Sequence, residues 1–511
     1  MTEGKVWLVG AGPGDTGLIT VKGEEVLKEA QVVVYDHLVN PDLLARYGDG
    51  KRFINVGKQA GRHLIPQQEI QEILVREARA GNKVVRLKGG DPFLFGRGGE
   101  EAMVLAKEGI PFEVVPGVTS ALAVPAYNGI PVTHRDCASS VHIITAHKRQ
   151  GREETLDYPA LAALEGTLVF LMGVAALPEI TAGLLGAGMK PETPAAVLQE
   201  GTTADQRKVV GTLEDLAERA ASAGIRPPAV ILVGQVCALT EALGWYEDLP
   251  LMGMRLLLAR PRERMEPLAG RLRALGAQVL EAPAVELVPV EEDEKIGASI
   301  SHLEAYDWLV FTSPAGVRIF FADMEQRKAD VRRLGHIRIA VIGEGTGKAL
   351  EEERGIYPDL MPRVYDGVSL GRALAGADIR GKRILLPRAK RGNPELVPLL
   401  EEAGARVDDI PVYRTVYPVS QTVDIRKELE EGRIDCVVLT SASTADGLAR
   451  MAGQENLKGR KAACIGPETA RRAREYGLDC RIAEEATIES LTALIERIKK
   501  DHDQETTEIE K

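Results

Sequence analysis

The densest chemistry in the chain lies between Leu87 and Glu101, where the sequence runs LKGGDPFLFGRGGEE. Five glycines there surround three charged groups, Asp91, Arg97 and Glu100. A structural turn needs one or two glycines. This many let the backbone bend sharply and approach a bound molecule closely. The segment leaves an apolar strand-like run and enters a helix-like one. The loop Val115-Pro116-Gly117-Val118-Thr119-Ser120 follows another such run. In open α/β sheets ligands collect at the carboxyl ends of strands, so both loops are candidate ligand contacts.

Two further glycine loops imitate nucleotide sites and fail the chemistry. Gly10-Ala11-Gly12-Pro13-Gly14-Asp15 follows the first strand-like run, and Asp36 comes about 20 residues later, as in a dinucleotide fingerprint. Asp15 stands where the third glycine belongs, and a carboxylate there repels a pyrophosphate. Pro13 has no N–H to offer one. A plain turn and a loop that approaches a non-phosphate ligand remain open. Gly343 to Ala349 has three residues between its outer glycines where a P-loop has four, and Ala349 replaces the hydroxyl that would hold Mg²⁺. His134, His142 and His147 lie near Cys137. His142 and His147 are five apart along a strand-like run and face opposite sides, so polar contacts fit better than a metal site. No metal is expected.

These loops need rigid elements to hold them. The chain has 511 residues, enough for about three domains. It is 44% apolar and 27% charged, as soluble globular enzymes are, and no apolar run reaches membrane-spanning length. Sixty-four basic and 75 acidic residues leave a net charge of −11, which argues against general nucleic-acid binding but not against a local basic pocket for an anion. The five cysteines are scattered and form no CxxC pair, which fits a reducing cytosol; a cytoplasmic location is expected. The start MTEGKVWLVGAGPGD enters a strand almost at once and suggests no signal peptide.

Strand-like and helix-like runs alternate throughout, the mark of an α/β chain with parallel strands. The first unit is Val6–Val9, a helix pattern over about 18–30, then Val32–Tyr35. Val84–Lys88, Glu113–Val115, Val141–Thr145, Leu168–Met172, Ala195–Gln199 and Val230–Gly234 also read as buried strands. A break near Trp245–Gly253 puts the main boundary at about 250. Beyond it the sequence repeats itself. RLLLARP at 255–261 is echoed by RILLPRA at 383–389, DWLVFTSPAGV at 307–317 by DCVVLTSASTA at 435–445, and IAVIGEGTGKAL at 339–350 by AACIGPETARRA at 462–473. Two similar α/β lobes of about 125 residues follow from this. The polar tail after Lys499 is expected to fray.

Taken together, GAGPGD (10–15), VVVYDHLV (32–39), VGK (56–58), RLKGGDPFLFGRGGEE (86–101), PGVTSA (116–121), GIPVTHRD (129–136), LVFLMG (168–173), QEGTTADQR (199–207) and PPAVILVGQV (227–236) resemble uroporphyrinogen-III C-methyltransferases. The second half resembles uroporphyrinogen-III synthases through LLLARPRER (256–264), LVFTSPAGVRIFF (309–321), AVIGEGT (340–346), PVYRT (411–415), TSAST (440–444) and IGPETA (465–470). The resemblance implies a fusion: a two-lobed tetrapyrrole-methylase domain over 1–246, a linker at 247–253, and a two-lobed synthase domain with flavodoxin-like lobes over 254–498. The first synthase lobe would take 254–290 with 419–498 and the second 291–418, leaving 499–511 as a flexible tail.

By that resemblance the methylase half uses S-adenosylmethionine, held by Pro13, Gly89, Gly90, Asp91, Leu94, Thr119, Ser120, Met172, Gly201 and Ala229. Asp91 suits a cationic or hydroxyl-rich ligand better than a phosphate. For proton removal the family offers Asp36 as acceptor with Lys58 as donor, or Arg97 with Glu100. A guanidinium is a poor base, so Arg97 reads mainly as a clamp for a substrate carboxylate. Asp36 also suits a strand-end cap, Lys58 a solvated surface and Met172 a core. The substrate carries eight carboxylates, so Lys58, Arg62, Arg97, Arg135 and Lys148 are candidate contacts. The synthase half implies no cofactor. Thr312, Ser313, Thr346, Ser441 and Thr469 suit carboxylate binding, with Arg260, Arg262 and Arg264 as further candidates. Tyr413 is the candidate acid for water departure, or else a packed core tyrosine.

The implied activity is cyclisation of hydroxymethylbilane to uroporphyrinogen III, then methylation at C2 and C7 to precorrin-2 on the way to sirohaem or cobalamin. An alternative keeps the methylase and makes the C-terminal lobes a non-catalytic ligand-binding module. Other precorrin methylases and NAD enzymes fit less well. The expected partners are small anionic tetrapyrroles, with no nucleic acid, no membrane and a homodimer through the methylase domain. Because the sequence opens directly on the methylase pattern, no added dehydrogenase–chelatase activity is expected.

Overall fold

The computed structural model describes residues 4–48, 50–57, 65–146, 156–261, 265–290, 294–417 and 423–509. The first five strands, β1 (Lys5–Gly10), β2 (Val32–Tyr35), β3 (Arg52–Asn55), β4 (Lys83–Lys88) and β5 (Phe112–Val115), form a parallel sheet in the order β3-β2-β4-β1-β5. Val6, Leu8, Val32, Val34 and Val84 pack into one core, and Trp7, Val9, Val33, Val85 and Leu87 into another on the opposite face. Burial on both faces is why these strands read as unbroken apolar runs. The helix expected over 18–30 is Val21–Glu29, capped by the Thr20 side chain. A short 3₁₀ turn, Thr16–Leu18, precedes it and is capped by Asp15.

The next five strands, β6 (Val141–Thr145), β7 (Thr167–Leu171), β8 (Pro194–Gln199), β9 (Arg207–Thr212) and β10 (Ala229–Val233), form a mixed sheet in the order β6-β7-β10-β8-β9. β10 runs antiparallel to both neighbours. Ala229 therefore lies opposite Gln199, and Val230 opposite Leu171. The ends of β7 and β8 and the start of β10 share one edge.

The chain divides into two compact units, Met1–Ala282 with Val419–Lys511, and Pro283–Pro418. β11 (Arg255–Pro261) lies in the first, and β12 (Gln278–Pro289) starts there and ends in the second. The division thus falls inside a strand, earlier than the sequence border at 290. The second unit holds β13 (Trp308–Phe311), β14 (Arg338–Val341), β15 (Arg383–Ala389) and β16 (Arg406–Val416), in the order β14-β13-β15-β16-β12, parallel except for β12 against β16. β17 (Cys436–Leu439), β18 (Lys461–Cys464) and β19 (Asp479–Ile482) continue from β11 in parallel in the first unit. The internal repeat is visible here: β11, β17 and β18 correspond to β15, β13 and β14, in matching spatial order.

Two sequence expectations need correction. The tail does not begin to fray at Lys499: the helix Ile488–Ile509 continues through it. Its apolar side chains Leu491, Ile495 and Ile498 are buried, and Lys499 pairs with Asp503 one turn on. Nor is the segment 247–253 a free linker. Leu251 is fully buried and its N–H donates to Leu275 O at 2.8 Å.

Within the first unit, a helix and a loop of the N-terminal part touch the elements that follow 254. Arg255 pairs with Asp205, and Arg46 with Glu266. Asp42, in the helix Pro41–Tyr47, is buried beside Gln278 and Arg273. Burial pushes its carboxyl up to about 6, against the Gln278 hydrogen bond and the Arg273 charge.

Candidate functional site

Three glycines set the shape of the N-terminal site. Gly10 ends β1, Gly90 follows β4 and Gly117 follows β5. A Cβ on Gly10 would stand 2.5 Å from both the Gly117 Cα and the Gly90 carbonyl oxygen. The three backbones interlock where side chains would not fit. Gly90 adopts a φ of 66°, the left-handed region that favours glycine. Gly12 and Gly90 exchange backbone hydrogen bonds at 3.3 and 2.7 Å, and Ala11 N–H donates to Lys88 O. The Ala11 and Gly12 amides are thus spent on the end of β4 and its loop, the Asp15 amide on Thr202, and Pro13 has none, which tells against the dinucleotide reading. Asp15 caps the 3₁₀ turn with one oxygen and accepts from Tyr127 Oη at 2.7 Å with the other.

Of the residues assigned to S-adenosylmethionine, Gly89, Gly90, Asp91 and Leu94 lie in the loop after β4 and Thr119 and Ser120 in the loop after β5, the two loops that meet at this junction. Asp91 Oδ1 accepts from Phe93 and Leu94 N–H, and Oδ2 from Gly117 N–H at 3.0 Å. The carboxylate therefore ties the β4 loop to the β5 loop. Thr119 caps the helix Ser120–Tyr127. The second sheet supplies Met172, Gly201 and Ala229 from its shared edge. Gly14 in the Pro13 loop lies against the side chains of Thr202 and Thr203, and Gly201 lies against Val124 of the helix that Ser120 begins. Met172 is 54% exposed with a φ of 57°, so it is not a core residue. Phe95, Arg97, Glu200 and Thr202 also hold positive φ. Non-glycine residues in that region carry strain and gather at functional sites. The donor set fits a sulfonium cofactor: bare glycine backbone, a carboxylate, and no cationic residue among Gly89–Leu94 and Thr119–Ser120.

Arg97 precedes the helix Gly98–Lys107 and forms a two-pronged pair with Glu100, at 2.9 and 2.6 Å. Both are exposed, and the Glu100 carboxylate raises the guanidinium pKa further above its ordinary value. That works against Arg97 as a base. Asp36 follows β2, half-buried. Oδ1 accepts from Leu38 N–H, and Oδ2 from Arg86 at 3.2 Å. Arg135 is exposed in the turn between His134 and Ala138. Lys58, Arg62, Lys148, Arg262 and Arg264 lie outside the described residues.

A buried ionic cluster sits beneath the site, and sequence reasoning missed it. Glu101 is fully buried. Its Oε1 accepts from Arg86 Nε at 3.3 Å, Lys88 Nζ at 3.1 Å and Gln67 Nε2 at 3.0 Å. Its Oε2 has no hydrogen-bond partner among the described residues, which costs about 1–3 kcal/mol. Burial, then the Arg86 charge, lowers the Lys88 ammonium pKa. The charged letters of KVVRLK were visible in the sequence, and two cations inside a buried strand were the available signal.

In the second unit, Tyr413 on β16 is 7% exposed, and its hydroxyl lies 2.9 Å from Ser313 Oγ. Ser313 also accepts from Gly316 N–H and caps the helix Pro314–Gln326. Thr312 adjoins it, half-buried. Ser441 caps the helix Ala442–Ala452 in the first unit with the same geometry. Thr346 and Thr469 do not stand open to a substrate. Each lies in the first turn of its helix, 3% and 5% exposed. Arg260 is also buried, at the end of β11. Tyr365 covers Gly343 of the false P-loop.

Residues 5–217 match the family of Tetrapyrrole (Corrin/Porphyrin) Methylases, and residues 266–493 match Uroporphyrinogen-III synthase HemD. The protein is thus a tetrapyrrole methylase joined to a synthase-type domain. Over 491 residues, 96% of this chain and 97% of the relative, it is 41% identical to the Porphyrin biosynthesis protein HemD of Ruminiclostridium josui. It is 42% identical over 376 residues to the Uroporphyrinogen-III C-methyltransferase of Bacillus subtilis (strain 168), covering 72% of this chain and 76% of that one. Against the S-adenosyl-L-methionine-dependent uroporphyrinogen III methyltransferase of Methanosarcina barkeri it is 51% identical over 242 residues, 47% of this chain and 95% of that one. The chain belongs to the family of fused uroporphyrinogen-III methylase–synthase proteins. Among the described residues no helix is long and apolar enough to cross a membrane.

Proposed function

We propose that the chain cyclises hydroxymethylbilane to uroporphyrinogen III and methylates that product at C2 and C7 to precorrin-2, for sirohaem or cobalamin synthesis. The observation that carries the reading is the interlocked glycine junction. It locks the β1, β4 and β5 loops together in a chain matched along 96% of its length by a porphyrin-biosynthesis protein.

S-adenosylmethionine, when bound, supplies an electrophilic methyl group. Gly89, Gly90, Asp91 and Leu94, with Thr119, Ser120, Met172, Gly201, Ala229 and Pro13, hold it. Methyl transfer to an electron-rich pyrrole carbon needs chiefly position, with the reacting atoms about 3–3.5 Å apart. Asp36 takes the proton that leaves, with Lys58 as donor. Arg97, released from Glu100, clamps a substrate carboxylate, and Arg62 and Arg135 add positive charge. In the synthase half, Tyr413 donates the proton on which water departs, with Ser313 orienting its hydroxyl. Ser441 and Thr312 bind carboxylates. The protein works in the cytoplasm as a homodimer through the methylase domain.

The test is to supply hydroxymethylbilane and S-adenosylmethionine and follow products by absorbance and mass. A doubly methylated isobacteriochlorin-type product is expected. None at all refutes the methylase reading, and type I uroporphyrinogen products alone refute the synthase reading.

A further inference from the structure

We infer that Glu101 is a positioning residue for methylation, acting through Arg86 to aim the Asp36 carboxylate. The inference rests on the reading of Asp36 as proton acceptor. Glu100 and Glu101 are neighbours in the first turn of one helix and diverge by about 100° around it. Glu100 points outward and holds Arg97. Glu101 points inward and holds Arg86 and Lys88, both on β4. Arg86 then spans from Glu101 at Nε to Asp36 at its far nitrogen, and a third donor fixes it to Leu87 O at 3.0 Å. One short helix start thus sets two site groups, one directly and one through a buried guanidinium.

The arrangement is poor as stabilisation alone. A carboxylate without solvent, with one oxygen unpartnered among the described residues, is expensive to bury, and an apolar replacement of similar volume often serves stability as well. It makes sense as a brace. Arg86 is 3% exposed and cannot relax into water, so the Asp36 oxygen it holds keeps its direction. Gln67, from the helix Gln67–Arg79, anchors the same Glu101 oxygen from the far side.

Glu101→Gln and Arg86→Lys, singly and together in the full chain, test this. Each single change should lower kcat for methylation by about tenfold to a hundredfold, the scale of a misplaced catalytic group. KM for S-adenosylmethionine and calorimetric affinity for S-adenosylhomocysteine should stay within about twofold, and the double variant should fall no further than the worse single one. A kcat within about twofold of the parent, an affinity that falls in step with kcat, or losses that multiply would each overturn the inference. Should Glu101→Gln fail to fold, Glu101→Asp withdraws the same charge by one methylene and carries the same outcomes. A parent chain that makes no methylated product refutes the parent reading instead. A parent that methylates while its variants keep their kcat refutes only this one.

Discussion

Asp42→Asn should stabilise the protein at neutral pH, although it removes a hydrogen-bonded buried side chain. Folding raises the Asp42 pKa from 3.8 to about 6, because burial outweighs the help of Gln278 and Arg273, with Glu428 and Glu281 adding like charge. At a pH well below 3.8 the carboxyl is protonated in both states and the shift costs nothing. As pH rises from 3.8 to about 6 the unfolded chain ionises first, so folding loses stability through that window. Above about 6 the loss is complete. Roughly two pK units at about 1.4 kcal/mol each come to about 3 kcal/mol. Asparagine does not titrate and keeps an oxygen for Gln278. The variant should therefore exceed the parent by up to about 3 kcal/mol at pH 8, and by about a third of that at pH 4.5. Urea unfolding at the two pH values measures this. Trp7 and Trp245 report on the unit that holds Asp42. An equal gap at both pH values would show that Asp42 ionisation is not its source. A less stable variant at pH 8 would show that the carboxylate is a net stabilising partner of Arg273.

Gly10→Ala should weaken S-adenosylmethionine binding by at least about tenfold, since its Cβ lands on backbone that can yield only by opening the site; calorimetry checks it, and unchanged affinity would separate the glycine junction from the cofactor. Arg97→Ala should abolish methylation and leave cyclisation intact, as read by product mass. Tyr413→Phe should slow cyclisation by about a hundredfold or more if the phenol is the acid, while the lost Ser313 hydrogen bond costs about 1 kcal/mol of stability. A normal cyclisation rate would leave Tyr413 a packing residue.

Strand positions were legible because burial on both sheet faces writes apolar runs into the sequence. Val141–Thr145 is a strand to the residue, and Val84–Lys88 and Ala195–Gln199 each miss by one. The glycine loops stood out in the sequence because a Cβ at Gly10 or Gly117 would meet neighbouring backbone at 2.5 or 2.3 Å. What was hidden is pairing between distant residues. Glu101 looks like an ordinary first-turn acid until Arg86, Lys88 and Gln67 surround it. Thr346 and Thr469 follow strand ends as substrate-binding residues would, but each lies in the first turn of a helix that turns it inward. Asp15 seemed set to repel phosphate, yet its oxygens are taken by a turn and a tyrosine.

The buried Leu251 seats the end of the join in the core formed by the strands and helices that follow it. Asp42 leans on Gln278, Arg46 on Glu266 and Asp205 on Arg255, so each side of the join completes the other. A protease nick between 245 and 253 would then yield two fragments that copurify.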